Sequence, residues 1–190
     1  MGTVTEQSVV LTKKSGKGKR HGVVSEVSAY FHVKPGHTEE LRAAIDRFQQ
    51  KLHNAPIELN LRFGLQDMRH VIFDNGTRLN WATSFETDWE PYIDDSVATM
   101  GLKTWYDWFQ HCEECPENFM ELSGKSLRDF IQSGQVQAQG FFKTISDKTL
   151  VELRKGLRVR QALDQVVDNP AALALLQQAP LKPLLDEAAD

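Results

Sequence analysis

The 190-residue sequence predicts an α+β fold on a ferredoxin-like βαββαβ unit with extra C-terminal helices, and three observations carry that prediction. A strictly alternating run, Ser25–Val33 (SEVSAYFHV), precedes an amphipathic helical segment. Two β-rich runs flank Asp74-Asn75-Gly76-Thr77, and Asn-Gly is the strongest short signal for a type I′ hairpin because both central residues need φ > 0. After more helical pattern comes a last alternating run, Gln135–Ile145 (QVQAQGFFKTI). Strand, helix, strand, strand, helix, strand is the split βαβ order.

Composition fits a globular chain: 41% hydrophobic, 25% charged and a net charge of -4, which favours no partner class. Lys13, Lys14, Lys17, Lys19, Arg20 and His21 crowd into a Gly/Ser-containing stretch, so residues 1–21 are expected to be a basic flexible arm. No aromatic interleaving or second basic face points to nucleic acid. No apolar run reaches bilayer length and no signal-peptide order is seen, so the expectation is a cytoplasmic protein without a membrane partner. Residues 22–168 then form the ferredoxin-like domain and 169–190 a C-terminal helical extension.

Taken in order, the first strand puts Val27, Ala29, Phe31 and Val33 on one face and Ser28, Tyr30 and His32 on the other. Thr38 is placed to cap a helix with the apolar stripe Leu41, Ala44, Ile45, Phe48 and Leu52. Residues 54–65 form a connection with a short strand expected near Leu59–Phe63. With Asn75-Gly76 as the loop, Ile72 opposes Leu79 and His70 opposes Trp81. One hairpin face carries Met68, His70, Ile72, Leu79, Trp81, Thr83 and Phe85; the other carries Arg69, Val71, Phe73, Arg78, Asn80, Ala82 and Ser84. Neither is wholly polar, so both faces of the sheet are expected to be covered.

Thr87-Asp88-Trp89-Glu90 has capping-box spacing before a helix with Trp89, Ile93, Val97 and Met100 on one side. Gly101 breaks it, and Trp105, Trp108, Phe109 and Cys112 follow at helical spacing, a stripe suited to a core or a subunit interface. A short helix over Ser126–Gln132 precedes the last strand. Ser146-Asp147 opens a long helix with Leu150, Leu153, Leu157, Leu163 and Val167 inward, and Asp168-Asn169-Pro170 starts a short Leu-rich one.

Arg69-His70-Val71, Asp74-Asn75-Gly76, Arg78-Leu79 and Ser84-Phe85-Glu86 followed by Trp89 and Tyr92 resemble a pattern in bacterial members of the dimeric α+β barrel group. That group includes antibiotic-biosynthesis-monooxygenase-like proteins, haem-degrading monooxygenases, chlorite dismutases and dye-decolourising peroxidases. The resemblance covers about residues 27–163. It implies a homodimer with facing sheets, and a small enzyme acting on an apolar or aromatic molecule by oxygenation or proton transfer without a dedicated cofactor. It also implies a haem-binding alternative, with His32, His70 and His111 as axial candidates. The haem-degrading members use an Asn on the first strand, where this chain offers Ser28, Tyr30 and His32.

The polar strand faces give the candidate site: Tyr30, His32 and Arg69 as catalytic residues, with Asn80, Gln137 and Gln139 binding substrate in a cavity between sheet and partner. Arg would hold an anionic or phenolic group and His would move a proton. His70, opposite Trp81, reads as a packed histidine. Cys112 and Cys115 form a lone CEEC; with no second pair, no metal site is expected and the thiols read as reduced. No nucleophile elbow, phosphate loop, HExxH or dinucleotide fingerprint is present. A different class stays open: a non-catalytic accessory protein of an oxidative enzyme, for which Leu181, Leu184 and Leu185 offer a Leu-rich tail.

Overall fold

A computed structural model describes residues 18–184. The central element is β2 (Val24–His32), whose period-2 pattern buries Val27, Ala29 and Phe31 against the helices. A two-residue strand, β1 (Arg20–His21), folds back onto it through a turn at Gly22, where φ is +63°. Along the chain follow α1 (Thr38–Asn54), α2 (Ile57–Arg62), β3 (Leu65–Phe73) and β4 (Arg78–Phe85). The sheet order is β1-β2-β4-β3 with every neighbouring pair antiparallel. β4 therefore lies between the parallel pair β2 and β3, which is the split βαβ half of the ferredoxin-like unit.

The hairpin register is the expected one: Ile72 faces Leu79 and His70 faces Trp81. Its turn is longer in the left-handed region than an Asn-Gly loop requires, with φ of 54° at Asp74, 54° at Asn75 and 87° at Gly76. Thr38 does not cap α1; it is the first helical residue, and its hydroxyl donates to the Gly76 carbonyl at 3.1 Å, tying helix to turn. Leu41, Ala44, Phe48 and Leu52 of α1 are buried as their spacing requires. The strand expected near Leu59–Phe63 is instead α2: Pro56 stands at its N-cap position, and a proline's fixed φ suits the start of a helix.

Helices α3 (Trp89–Met100), α4 (Leu102–Phe109) and α5 (Gly124–Ser133) complete the layer on one side of the sheet, with a 3-10 turn at Phe119–Glu121. Asp88, not Thr87, holds the N-cap position of α3, and no side chain caps it. Trp105, Trp108 and Phe109 are fully buried, so the aromatic stripe is core. Trp108 stacks on Phe109 at 3.7 Å and meets His70 edge-to-face at 5.0 Å.

Two expectations fail in the C-terminal part. Gln135–Ile145 is not a strand; one bridge, Ala29 to Gln135, remains of it. The outer edge of β2 is shared: β1 and Lys19 pair with residues 24–26, and the Gly134 carbonyl and Val136 amide pair with Tyr30 and Ser28. With that edge filled, the rest of the segment leaves the ladder and crosses the sheet's second face. Gly134 permits the close approach, because a Cβ there would lie 2.6 Å from the Phe31 ring.

By contacts, the described residues divide into two compact units between Asp147 and Lys148. In the second, Thr149 caps α6 (Leu150–Val167) in a capping box with Glu152, three residues after the expected Ser146 start. No residue of α6 is fully buried: of the expected inward stripe, Leu150, Leu153, Leu163 and Val167 are half-buried, while Leu157 is 63% exposed. Asn169 caps α7 (Pro170–Leu176), and Leu181 and Leu184 are exposed. Leu185 and residues 1–17 of the expected basic arm lie outside the described residues; Arg20 and His21, assigned to that arm, belong to the sheet. No helix among the described residues is long and apolar enough to cross a membrane.

Candidate functional site

The sheet face opposite the helices is a ladder of four rungs fixed by register. Glu26, Ser84 and Asp67 form the first; Ser28, Ala82 and Arg69 the second; Tyr30, Asn80 and Val71 the third; His32, Arg78 and Phe73 the fourth. Rungs lie ~6.6–6.8 Å apart, two residues along a strand. Tyr30, His32, Arg69 and Asn80 thus share one face, as their alternation requires, but they do not converge.

The segment after Val136 crosses the first two rungs. It is tied down by β1 and its turn: Lys19 Nζ donates to the Gln139 carbonyl at 2.6 Å, the Lys143 amide to His21 Nδ1 at 3.1 Å, and the Val23 amide to the Ser146 carbonyl at 2.7 Å. Between crossing and sheet lies a pocket of about 360 Å3, lined by Glu26, Ser28, Asp67, Arg69 and Ser84 below and by Ala138, Gly140, Phe141, Phe142 and Lys143 above.

Charge in this pocket is balanced but unevenly engaged. Glu26 is only 7% exposed, and its Oε1 accepts the Lys19 amide at 3.1 Å. Asp67 sits at a bulge of β3, 3.8 Å from Lys143 Nζ. Its backbone carbonyl accepts from the Thr83 hydroxyl at 2.9 Å, so in the 2.6 Å contact between Thr83 and Tyr92 the tyrosine donates. Burial pushes the Tyr92 hydroxyl's pKa above the ordinary range, which keeps it a donor. Arg69, by contrast, makes no hydrogen bond or ion pair among the described residues.

Of the six site residues expected from sequence, Arg69 alone lines this pocket. Tyr30 stands one rung on, edge-to-face with Phe73 at 6.2 Å, and Asn80 Nδ2 donates to the Ala29 carbonyl at 3.3 Å. His32 is two rungs beyond Arg69, and its Nδ1 pairs with Glu114 at 2.7 Å. Gln137 and Gln139 are exposed on the crossing segment. Glu26, Asp67 and Lys143 went unnoticed; the legible signal was Glu26, a carboxylate two residues before Ser28 on the same alternating face.

A second, more open pocket of about 490 Å3 lies between α1 and α4; two of its three cations, Arg47 and Lys51, are engaged, and Lys103 is exposed. Arg47 pairs twice with Asp107, at 2.8 and 2.9 Å, and Lys51 Nζ donates to Thr104 at 2.8 Å. The thiols are unreactive by environment: burial pushes Cys112 up beyond the ordinary thiol range and Cys115 up to about 11.

Each of the three candidate axial histidines is engaged. His70 is closed in by Phe48 and Trp108, His111 is paired with His37, and His32 is held by Glu114. None of the three lines either of these two pockets.

No family model and no curated protein matches this chain. Among solved structures it is similar to a candidate antibiotic biosynthesis monooxygenase from Nitrosomonas europaea, at 16% identity and a TM-score of 0.34, over 49% of this chain and 79% of that one. It is also similar to a candidate antibiotic biosynthesis monooxygenase from Bordetella bronchiseptica, at 13% identity and a TM-score of 0.29, over 63% of this chain and 97% of that one. Neither TM-score reaches 0.5, so the ferredoxin-like half of the fold is identified by its own strand order: β2, β4 and β3, antiparallel, with α1 crossing between the outer two.

Proposed function

We propose that this chain binds a small aromatic molecule bearing a phenolate or carboxylate in the pocket under the crossing segment and transfers a proton on it without a dedicated cofactor. The observation that carries this reading is the unpartnered Arg69 guanidinium one rung from the buried Glu26 carboxylate. A planar guanidinium pairs with a carboxylate through two parallel hydrogen bonds. Phe141 supplies an apolar wall for the ring. Glu26 has one oxygen held by the Lys19 amide, which leaves Oε2 to take a proton from a hydroxyl or acidic C–H. The electron-rich anion so formed is the species that reacts with dioxygen or cyclises.

Arg69→Ala should weaken binding of hydroxybenzoates by roughly 10- to 100-fold, the worth of a charge-assisted hydrogen-bond pair, with the melting temperature unchanged. Glu26→Gln should keep binding and lose turnover. Calorimetric titration of a hydroxybenzoate series checks both, and undiminished binding in Arg69→Ala would count against the site.

The other half of the same face carries the assembly proposal. Rungs three and four lie beyond the crossing and display Tyr30, Phe73 and Val71, the last 44% exposed. A second copy meeting that surface about a twofold axis would close both patches at once. Light scattering at micromolar concentration should give twice the 21.6 kDa chain mass, and Val71→Asp should return it to 21.6 kDa. A wild-type chain that scatters as a monomer contradicts the dimer.

A further inference from the structure

We propose that His37 and His111 form a two-histidine site for a divalent late transition metal, Ni2+ or Cu2+, clasping the start of α1 to the end of α4. The two Nδ1 atoms stand 3.0 Å apart, with ring centroids 5.3 Å apart. A metal at the usual imidazole distance of about 2.0–2.1 Å from each would see them at about 95°. That is the angle between adjacent ligands in square-planar and octahedral geometry, whereas a tetrahedral ion wants its nitrogens at about 3.3 Å.

The pair is also held in place from behind. The Lys34 amide donates to the His111 carbonyl at 2.9 Å, and the His37 amide donates to the Lys34 carbonyl at 3.0 Å. The backbone therefore fixes both side-chain roots independently of any contact between the rings. Both residues are half-buried, so each ring has room to turn its lone pair inward. Glu40, one helical turn after His37, lies close enough to act on His111 by its charge and adds negative charge beside a dication. No group of three or more His, Cys, Asp or Glu gathers as a metal site among the described residues, so water completes the coordination sphere.

The test uses the full chain with no affinity tag. Calorimetric titration with Ni2+ should show one ion per chain, and the melting temperature should rise with Ni2+ concentration, since the metal binds the fold and not the open chain. Cu2+ should give an electron paramagnetic resonance spectrum with hyperfine splitting from two nitrogens. His37→Ala and His111→Ala should each lower Ni2+ affinity at least tenfold, while His53→Ala leaves it unchanged. Metal-free melting curves verify that each variant is folded; if His111→Ala does not fold, the comparison rests on His37→Ala. Absence of saturable Ni2+ uptake below millimolar concentration by the wild type, or equal affinity in the folded His37→Ala variant, overturns the site.

Discussion

Acidification from about pH 6.5 to 4.5 is expected to remove about 2 kcal/mol of folding stability through His70 alone. Its ring lies between Phe48 and Trp108, and burial pushes its pKa down to about 3. Nδ1 accepts from the Gln49 amide at 3.1 Å, which sets the neutral tautomer with hydrogen on Nε2, an atom with no partner among the described residues. The unfolded chain takes up a proton near pH 6.5 that the native state refuses until about pH 3. Stability is therefore complete above pH 6.5 and falls as pH drops through the window between the two values. Urea unfolding across that range, compared with His70→Gln, isolates this residue: the variant should lose the slope. Parallel curves for the two proteins would place His70 in water.

Trp108→Ala is expected to cost about 3–5 kcal/mol, a large part of the stability of a domain this size. Trp108 is fully buried and packs on Phe31, Phe48, His70, Trp105 and Phe109, so its loss opens a cavity where α4 meets β2, α1 and β3. Its indole nitrogen has no hydrogen-bond partner among the described residues, so the loss is one of packing alone. Trp108→Phe keeps a ring in place and should cost much less. Denaturant midpoints compare the pair, and an Ala variant within 1 kcal/mol of wild type would mean that the core closes over the gap.

What the sequence made legible was whatever depends on neighbours in the chain. Alternation gave β2 and its buried face, and Asn75-Gly76 gave the hairpin with its register intact. What failed depends on a vacancy elsewhere. Residues 135–145 have strand alternation, but a strand needs a free edge, and on β2 that edge is already divided between β1 and residues 134–136. The same cause hid the pocket, because a segment expected inside the sheet lies across it and brings Lys143 over Asp67. Charge density hid β1: Arg20 and His21 end a basic run, yet His21 anchors the crossing segment. The stripe of α6 shows the complementary limit, since periodicity names an apolar face without naming what covers it. Arg69 was found because alternation alone places it on the hairpin's more polar face.

The most direct test of the ligand site is amide mapping by 15N-labelled nuclear magnetic resonance during titration with a hydroxybenzoate. If the covered half of the sheet face holds the ligand, shifts should concentrate at Ser28, Arg69, Ser84, Gly140 and Phe141, on both sides of the pocket, and should vanish in Arg69→Ala. Shifts concentrated at Lys103, Thr104 and Gln110 between α1 and α4, with those five residues silent, would contradict it.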